Sequence, residues 1–493
     1  MMWLIVLVVL LVLLLVAYHH YLSAAGDTFA KMNVESPPVS GFLGHFGITF
    51  KRGLFLNQRL VYNQYKDKKV YGVYQLRTPI LIVKDLDMVK DIMVKHFNNF
   101  VNRRVIFDFE EPFKENMLMI KDEQWKHVRN TVSPTFSSGR IKRMSHHVER
   151  NSQRLVDVLR GKQERNENVE LKSEISKFTL DVIASTAFGL ETNTMENPEN
   201  IFAKHAQNCT VRFSPLFVLV AFLSPWLLKK LRRVGLSLIS KKSLLFFAQT
   251  IDAAMESRKE EGQAGKFNDF IDLLIDVERE SGETEKALTR SEIHGQVLIF
   301  LLAGLDTVST VLSFTLFLLA RNPECCEKVQ KEIDEKLGNE APNYDNVQGL
   351  TYMDMCINET MRMFPPGFQI DRICNEDTVS QGIHIPKGMV VTVPVYAIHH
   401  DPEIWPEPDK FQPERFSAEN KESRHSFAFQ PFGNGPRNCI GMRLALLELR
   451  VALAFVLKSL TPVTCDKTVW PITMDKFQLK AEKGLWVKFN ARK

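Results

Sequence analysis

A chain of 493 residues with 45% hydrophobic and 25% charged side chains has the composition of a folded globular protein with a large core, which excludes intrinsic disorder as the default. A formal charge of +5 is small for that length and argues against nucleic-acid binding, so any acidic partner must be met by a local basic patch. The seven cysteines (Cys209, Cys325, Cys326, Cys356, Cys374, Cys439 and Cys465) are odd in number and irregularly spaced, which excludes a disulfide framework and points to a reducing compartment.

From Trp3 to Leu22 no side chain is charged, and as a helix this run is roughly 30 Å long, the thickness of a bilayer core. It predicts a single N-terminal transmembrane helix. Ser23-Ala24-Ala25 resembles a signal-peptide cleavage site, but no basic region precedes the apolar run. The first basic residues, Lys31, Lys51 and Arg52, follow the span and place the bulk of the chain on the cytosolic side. Pro37-Pro38 with Gly41, Gly44 and Gly47 reads as a connector that sets the body's angle to the membrane. The expected division is an anchor at 1–25, a proline/glycine hinge at 26–50 and one domain at 51–493, with no linker inside it.

Residues 70–76 and 80–84, around Arg77-Thr78-Pro79, predict a β-hairpin. Apolar spacings of three and four predict helices over 123–132, 174–190, 246–260, 268–278, 290–320, 323–337, 351–363 and 442–459. Gly382-Ile-His-Ile-Pro-Lys-Gly388 reads as a turn between two extended runs within 382–397. Residues 213–228 are very apolar, broken by Pro215 and Pro225 and too short to span a bilayer; a buried core helix and a membrane-surface segment followed by Lys229-Lys230 both fit. The fold class expected is mainly α with small β-sheets.

Phe432-Gly-Asn-Gly435-Pro-Arg437-Asn-Cys439-Ile-Gly441 is a glycine-punctuated loop that delivers one cysteine just before an amphipathic helix. Gly435 and Gly441 are expected to allow backbone shapes and close approach to a flat ligand, and the helix N-terminus to bias Cys439 toward thiolate. With no CxxC and no paired histidine nearby, zinc is a poor fit, whereas a lone axial thiolate is how haem-thiolate enzymes hold iron. His19-His20, His146-His147 and His399-His400 show no metal spacing and read as structural or surface residues. Most of the 34 phenylalanines are core filling.

The loop is similar to the FxxGxRxCxG haem-binding signature of the cytochrome P450 superfamily. Three further motifs stand in that family's order: Ala303-Gly304-Leu305-Asp306-Thr307 in a long apolar helix, Glu359-Thr-Met-Arg362 with Arg415 in Phe411-Gln-Pro413-Glu-Arg415-Phe416, and Trp125-Lys-His-Val-Arg129. His399-His400-Asp401-Pro402, Pro413-Glu-Arg-Phe416 and Ser133-Pro134-Thr-Phe136 are similar to the vertebrate family-three (3A-like) microsomal monooxygenases, except that Leu305-Asp306 stands where those relatives usually carry Tyr-Glu.

The resemblance implies a cytochrome P450 fold behind the membrane helix, holding haem b (iron protoporphyrin IX) with Cys439 as the axial iron ligand. Trp125, Arg129, Arg372 and Arg437 would hold the haem propionates, with Phe432 beside the ring; for Arg103 a solvated surface position is expected. Gly304 would clear space over the iron, and Asp306 with Thr307 would relay protons. Glu359, Arg362 and Arg415 would form a buried structural clamp. Phe107, Phe109, Phe113, Phe213, Phe217, Ile299, Phe300, Ala303 and Pro366–Ile370 are candidate walls of a substrate pocket.

The implied activity is insertion of one oxygen atom from O2 into lipophilic substrates such as steroids, drugs and xenobiotics, at the endoplasmic reticulum membrane. Without a dinucleotide fingerprint or a flavin domain, electrons must come from another protein, and the resemblance implies NADPH–cytochrome P450 reductase, with cytochrome b5 as a second partner. Lys126, Arg129, Arg140, Lys142 and Arg143 form a candidate docking face. A haem-thiolate isomerase of the thromboxane-synthase type and a non-enzymatic membrane haem- or sterol-binding protein are the alternatives; the acid and hydroxyl at 306 and 307 favour the monooxygenase, since an isomerase needs no proton relay.

Overall fold

The computed structural model describes residues 2–23, 27–38, 44–105, 109–197, 199–209, 239–260, 269–272, 275 and 288–492. The axis of the body is a long helix, Arg290–Arg321, started by a reciprocal cap in which the side chains of Thr289 and Glu292 each bond the other's backbone. Its composition would suit a membrane span, but 67% of its apolar window is buried inside the protein. It is a core helix, packed against Leu171–Phe188 on one side and Met442–Ser459 on another. Asn322 ends it, and Pro323 opens the next helix, Pro323–Leu337, at the first-turn position where a missing N–H costs nothing.

The predicted hairpin forms from β1 (Val70–Gln75) and β2 (Thr78–Val83). With β3 (Ile370–Ile373) and β4 (Val390–Val393) the hairpin grows into a four-stranded sheet in the order β1-β2-β4-β3. Val390–Val393 pairs directly with the hairpin, and residues 370–373 join as the edge strand beyond it. The 382–388 stretch is not one turn. Ile383–Ile385 pairs as a strand with Thr378–Ser380, and Val395–His399 is a short helix. The alternation of Ile383 and Ile385 around His384 is the period-two signal that marks it.

The longest element missing from the sequence prediction is Ser138–Glu164, 27 residues whose buried face is Ile141, Met144, Val148, Leu155 and Leu159. That spacing is helical, but charged residues dilute it. Also unpredicted are Leu54–Gln64, Ile201–Cys209 and a three-stranded sheet of Val169–Glu170, Trp486–Ala491 and Leu460–Val463. Elsewhere the helices start earlier than predicted, at Leu171 and Lys241, and Gly189 in the left-handed region (φ 66°) ends Leu171–Phe188. Residues 213–228, and most of 268–278, lie outside the described residues.

At the N-terminus Met2–Ser23 is one helix, and Ile5, Val6 and Val8 to Val16 along it are each more than 40% exposed. The connector is tied to the body on both described flanks. Phe29 is buried over Gly72, and His45 accepts from Tyr74 N through Nδ1 (2.8 Å) while its Nε2 bonds Pro37 O (2.9 Å). Five cysteines (Cys209, Cys325, Cys326, Cys356 and Cys374) are buried, and burial pushes their thiols up, so they are inert; only Cys439 and Cys465 are not buried.

Candidate functional site

Cys439 reaches its place through a loop held from below. On the helix Thr351–Met363, Glu359 and Arg362 are one turn apart and 0% exposed, with Arg362 Nε 2.7 Å and Nη2 2.9 Å from the two carboxylate oxygens. Arg415 Nε lies 3.3 Å from Glu359 Oε1, to which Gln412 N also donates (3.0 Å). Two cations and a backbone donor thus converge on one carboxylate, the condition under which a buried ion network holds together.

The clamp passes its order to the loop through a residue that sequence reasoning left among the structural or surface histidines. Arg362 Nη1 donates to His399 O (2.7 Å), and His399 Nε2 accepts from Gln430 N (3.0 Å), two residues before Phe432. Burial and the Arg362 charge hold the His399 imidazole well below its usual pKa, so it stays neutral and keeps that acceptor. From there Gly433 N bonds Gln430 O, Asn438 N bonds Gly435 O, and Cys439 N bonds Phe432 O (2.8 Å).

Gly435 has φ +72°, and a Cβ there would lie 2.0 Å from Met93 O. The special backbone shape expected of this glycine is thus present, and the close approach of the Met93 backbone requires it as well. At Gly441 an added Cβ would meet only Phe136 at 3.9 Å, an ordinary contact.

Above the loop is a cavity of about 550 Å³. Cys439, Phe432, Trp125, Arg129, Arg372 and Arg437 line it, as do Ala303, Gly304 and Thr307 of the long helix. So does Arg103, against expectation: it is not a solvated surface charge, and its Nη2 donates to Arg437 O (2.9 Å). The Arg437 guanidinium sits over the Trp125 ring at 4.3 Å, and Arg129 donates to Asn438 Oδ1 (2.9 Å).

These guanidiniums are under-partnered. Arg103 Nε, Arg372 Nε, and Arg437 Nε and Nη1 are buried without a hydrogen-bond partner. Burial and mutual repulsion push Arg372 well below its usual pKa and Arg437 to about 9. A site that gathers several desolvated cations and leaves donors open is built for an anionic ligand.

Cys439 opens on the cavity, yet the protein around it shields the sulfur from bulk water, and that desolvation pushes its thiol up, although the Gly441 N–H and the Arg129 and Arg103 charges pull the other way. Desolvation thus outweighs the helix-terminal bias toward thiolate, and a bound metal would favour loss of the proton. Among the described residues no group of three or more His, Cys, Asp or Glu could hold a metal ion. One thiol, a ring of cations and apolar walls together fit haem, which brings its own equatorial nitrogens and two carboxylates and needs only an axial ligand from the protein.

In the long helix Thr307 Oγ1 donates to Ala303 O (2.7 Å) and faces the cavity. Asp306 does not line it. Its side chain is 72% exposed on another face and bonds Lys172 Nζ (2.7 Å), which also donates to Ser309 Oγ and Thr310 Oγ1. At roughly 100° per residue, Asp306 and Thr307 fall on opposite sides of Ala303 and about 100° apart, so Asp306 is turned away from the face that Thr307 presents to the cavity. Gly304 clears space for a neighbour as well as a ligand, since a Cβ there would lie 2.6 Å from Ile183 Cδ1, and Ile183 itself lines the cavity.

Of the expected pocket walls, Ile299, Phe300, Pro366, Gly367, Gln369 and Ile370 line the cavity. Phe368 does not and packs on Phe55; Phe109 and Phe113 pack on each other, Phe113 within the core. Phe107, Phe213 and Phe217 lie outside the described residues. On the candidate docking face Arg129 points into the cavity, while Lys126 and Lys142 are paired with Glu123 and Asp345. Sequence reasoning missed Arg104, Met117, Leu118 and the buried Glu448, all of which line the cavity.

A family model described as Cytochrome P450 matches residues 37–488. Cytochrome P450 3A31 of Mesocricetus auratus is 38% identical over 472 residues, which cover 94% of this chain and 93% of that protein. Cytochrome P450 3A7 of Homo sapiens is 38% identical over 472 residues, 94% of this chain and 92% of that one. Cytochrome P450 3A56 of Fundulus heteroclitus is 36% identical over 461 residues, 92% of each.

Proposed function

The chain belongs to the cytochrome P450 family, and from that membership we propose that it is a membrane-anchored monooxygenase that inserts one oxygen atom of O2 into lipophilic substrates with electrons from NADPH–cytochrome P450 reductase. The family's cofactor is haem; when bound, it supplies the iron at which dioxygen is activated for transfer to a C–H bond. The observation that carries the reading is the convergence of Cys439 with four arginines, Arg103, Arg129, Arg372 and Arg437, on one cavity beneath Gly304 and Thr307.

Cys439 would hold the haem iron through its sulfur, and the clamp of Glu359, Arg362 and Arg415 would keep it from turning away. The four guanidiniums would hold the two carboxylates and recover the hydrogen bonds they lack. Thr307 Oγ1 holds its own proton on Ala303 O and offers its lone pairs to the cavity, where it orders water beside the reacting position. Asp306 would take protons from solvent on the far face. Lys172, its pKa lowered by burial, fixes that carboxylate, so a transfer to Thr307 requires Asp306 to turn from the lysine.

Ile299, Phe300, Val308, Val311, Leu444 and Leu449 make the walls apolar and suit steroids, drugs and other lipophilic molecules. A 22-residue helix with its apolar side chains exposed calls for a lipid environment, and Lys31 and Lys51 after it suit a cytosolic body at the endoplasmic reticulum. Lys126, Arg140, Lys142 and Arg143 remain the candidate face for the reductase and cytochrome b5.

The test is turnover of a panel of lipophilic compounds by purified protein with reductase, NADPH and isotopically labelled dioxygen. NADPH-dependent products carrying one labelled oxygen support the reading. Rearrangement of a peroxide without NADPH would instead identify an isomerase, and ligand binding without either reaction a haem- or sterol-binding protein.

A further inference from the structure

Next to the long helix runs a strap, residues 113–120, whose Met117 and Leu118 line the cavity. Its far end is pinned by Arg437 Nη2, which donates to Ile120 O (2.9 Å). Its near end is pinned by Gln296, a 0% exposed amide on the long helix. Gln296 Oε1 accepts from Met117 N (2.9 Å) and its Nε2 donates to Glu115 O (2.8 Å), with a weaker bond to Glu292 O on its own helix (3.2 Å).

The side-chain amide therefore does to residues 115 and 117 what a neighbouring β-strand would do, filling one donor and one acceptor two residues apart. A second observation shows how close the two backbones are. A Cβ at Gly295 would lie 2.9 Å from Asn116 N and from Glu115 C, and 3.0 Å from Pro112 O. Asn116, buried between them, braces the strap from within by accepting from Leu118 N (2.9 Å) and donating to Phe113 O.

We infer that Gln296 is a positioning residue for substrate selection: it fixes the Met117–Leu118 wall at one height above the cavity floor, and so sets which rigid lipophilic ligands fit. Gln296 does not line the cavity and acts only through the strap. The inference rests on the haem-thiolate reading for its assay. Gln296 itself lies on the long helix and bonds no residue of the Cys439 loop, so the two readings fail separately.

The experiment compares Gln296→Leu, Gln296→Glu and Leu118→Ala with the parent as full-length, haem-loaded proteins. Spectral dissociation constants are measured for imidazole, which needs only the iron, and for progesterone, a rigid ligand that reaches the walls. Gln296→Leu leaves Glu115 C=O and Met117 N–H without partners; progesterone affinity is expected to change at least fivefold and imidazole affinity less than twofold. Gln296→Glu keeps the acceptor for Met117 N–H and loses the donor, so it is expected to fall between. Leu118→Ala, which alters the wall itself with the pins intact, is expected to discriminate between the same two probes.

Equal shifts for both probes, or none, in Gln296→Leu would overturn the inference. If that variant does not fold, Gln296→Glu decides it on the same criterion. A parent protein that gives no thiolate-type spectrum with carbon monoxide would overturn the haem reading instead.

Discussion

Glu359→Ala is the perturbation with the largest consequence for Cys439, although the two residues do not touch. Glu359 is 0% exposed and accepts from Arg362 Nε and Nη2 and from Gln412 N, with Arg415 at 3.3 Å. Removing it leaves Arg362, also 0% exposed, as a buried charge without a counterion, a change that typically costs about 3–5 kcal/mol. The stranded Gln412 N–H adds about 1–3 kcal/mol. Together these approach the whole stability margin of a folded domain, about 5–15 kcal/mol.

Because Arg362 also holds His399 O and His399 holds Gln430 N, the loss is expected to reach the cysteine loop first. Haem content per chain should fall severalfold, and the urea midpoint of what remains should drop. Glu359→Gln, which keeps an acceptor for Gln412 N–H, should do about half the damage. Full haem content in Glu359→Ala, with a midpoint equivalent to within about 0.5 kcal/mol of the parent, would refute the argument that the clamp orders the loop.

Four further outcomes are expected. Cys439→His should still bind haem but lose most oxygenase activity, measured as product per haem, because the donating thiolate is gone. Gly304→Ala should push Ile183 and cost about 1–3 kcal/mol, nearer the lower figure because the atom met is the end of a flexible side chain; a thermal melt and a ligand titration check it, and parent-like values for both would contradict the packing read here.

Glu448 is 3% exposed, and burial raises its carboxyl from 4.5 to about 8. The folded state then binds the proton more tightly than the unfolded one, so stability falls as pH rises from about 4.5 to about 8, by up to roughly 5 kcal/mol at about 1.4 kcal/mol per unit. Glu448→Gln should abolish that slope in urea titrations across the window, and an unchanged slope would show the acid to be solvated. Lys172→Met should free Asp306 and change the solvent isotope effect on turnover while leaving ligand affinity within twofold; an unchanged isotope effect would detach Asp306 from proton delivery.

What the sequence revealed and what it withheld have physical causes. The hairpin at 70–83 and the long helix at 290–321 are local periodic patterns, and each formed where its period placed it. Cys439 was legible because a loop built for one purpose concentrates unusual residues within a few positions. The face of Asp306 was also legible in principle, since adjacent helical residues such as 306 and 307 point about 100° apart.

Contacts made across the chain were not legible. Gly435 is explained only by Met93 O, Arg103 only by Arg437 O, and the strand Val169–Glu170 only by Trp486 and Val487. Gln296 and His399 belong to the same class: each is an ordinary buried polar residue until its partners, 179 and 31 positions away, are seen.

The bond on which the account depends is the one from Cys439 sulfur to haem iron. Reducing the purified protein with dithionite, adding carbon monoxide and recording the Soret band tests it directly. Absorption at the long-wavelength position of thiolate-ligated haem, lost in Cys439→Ser, is the expected result. A band at the histidine-type position, or a thiolate-type band that survives Cys439→Ser, would contradict it.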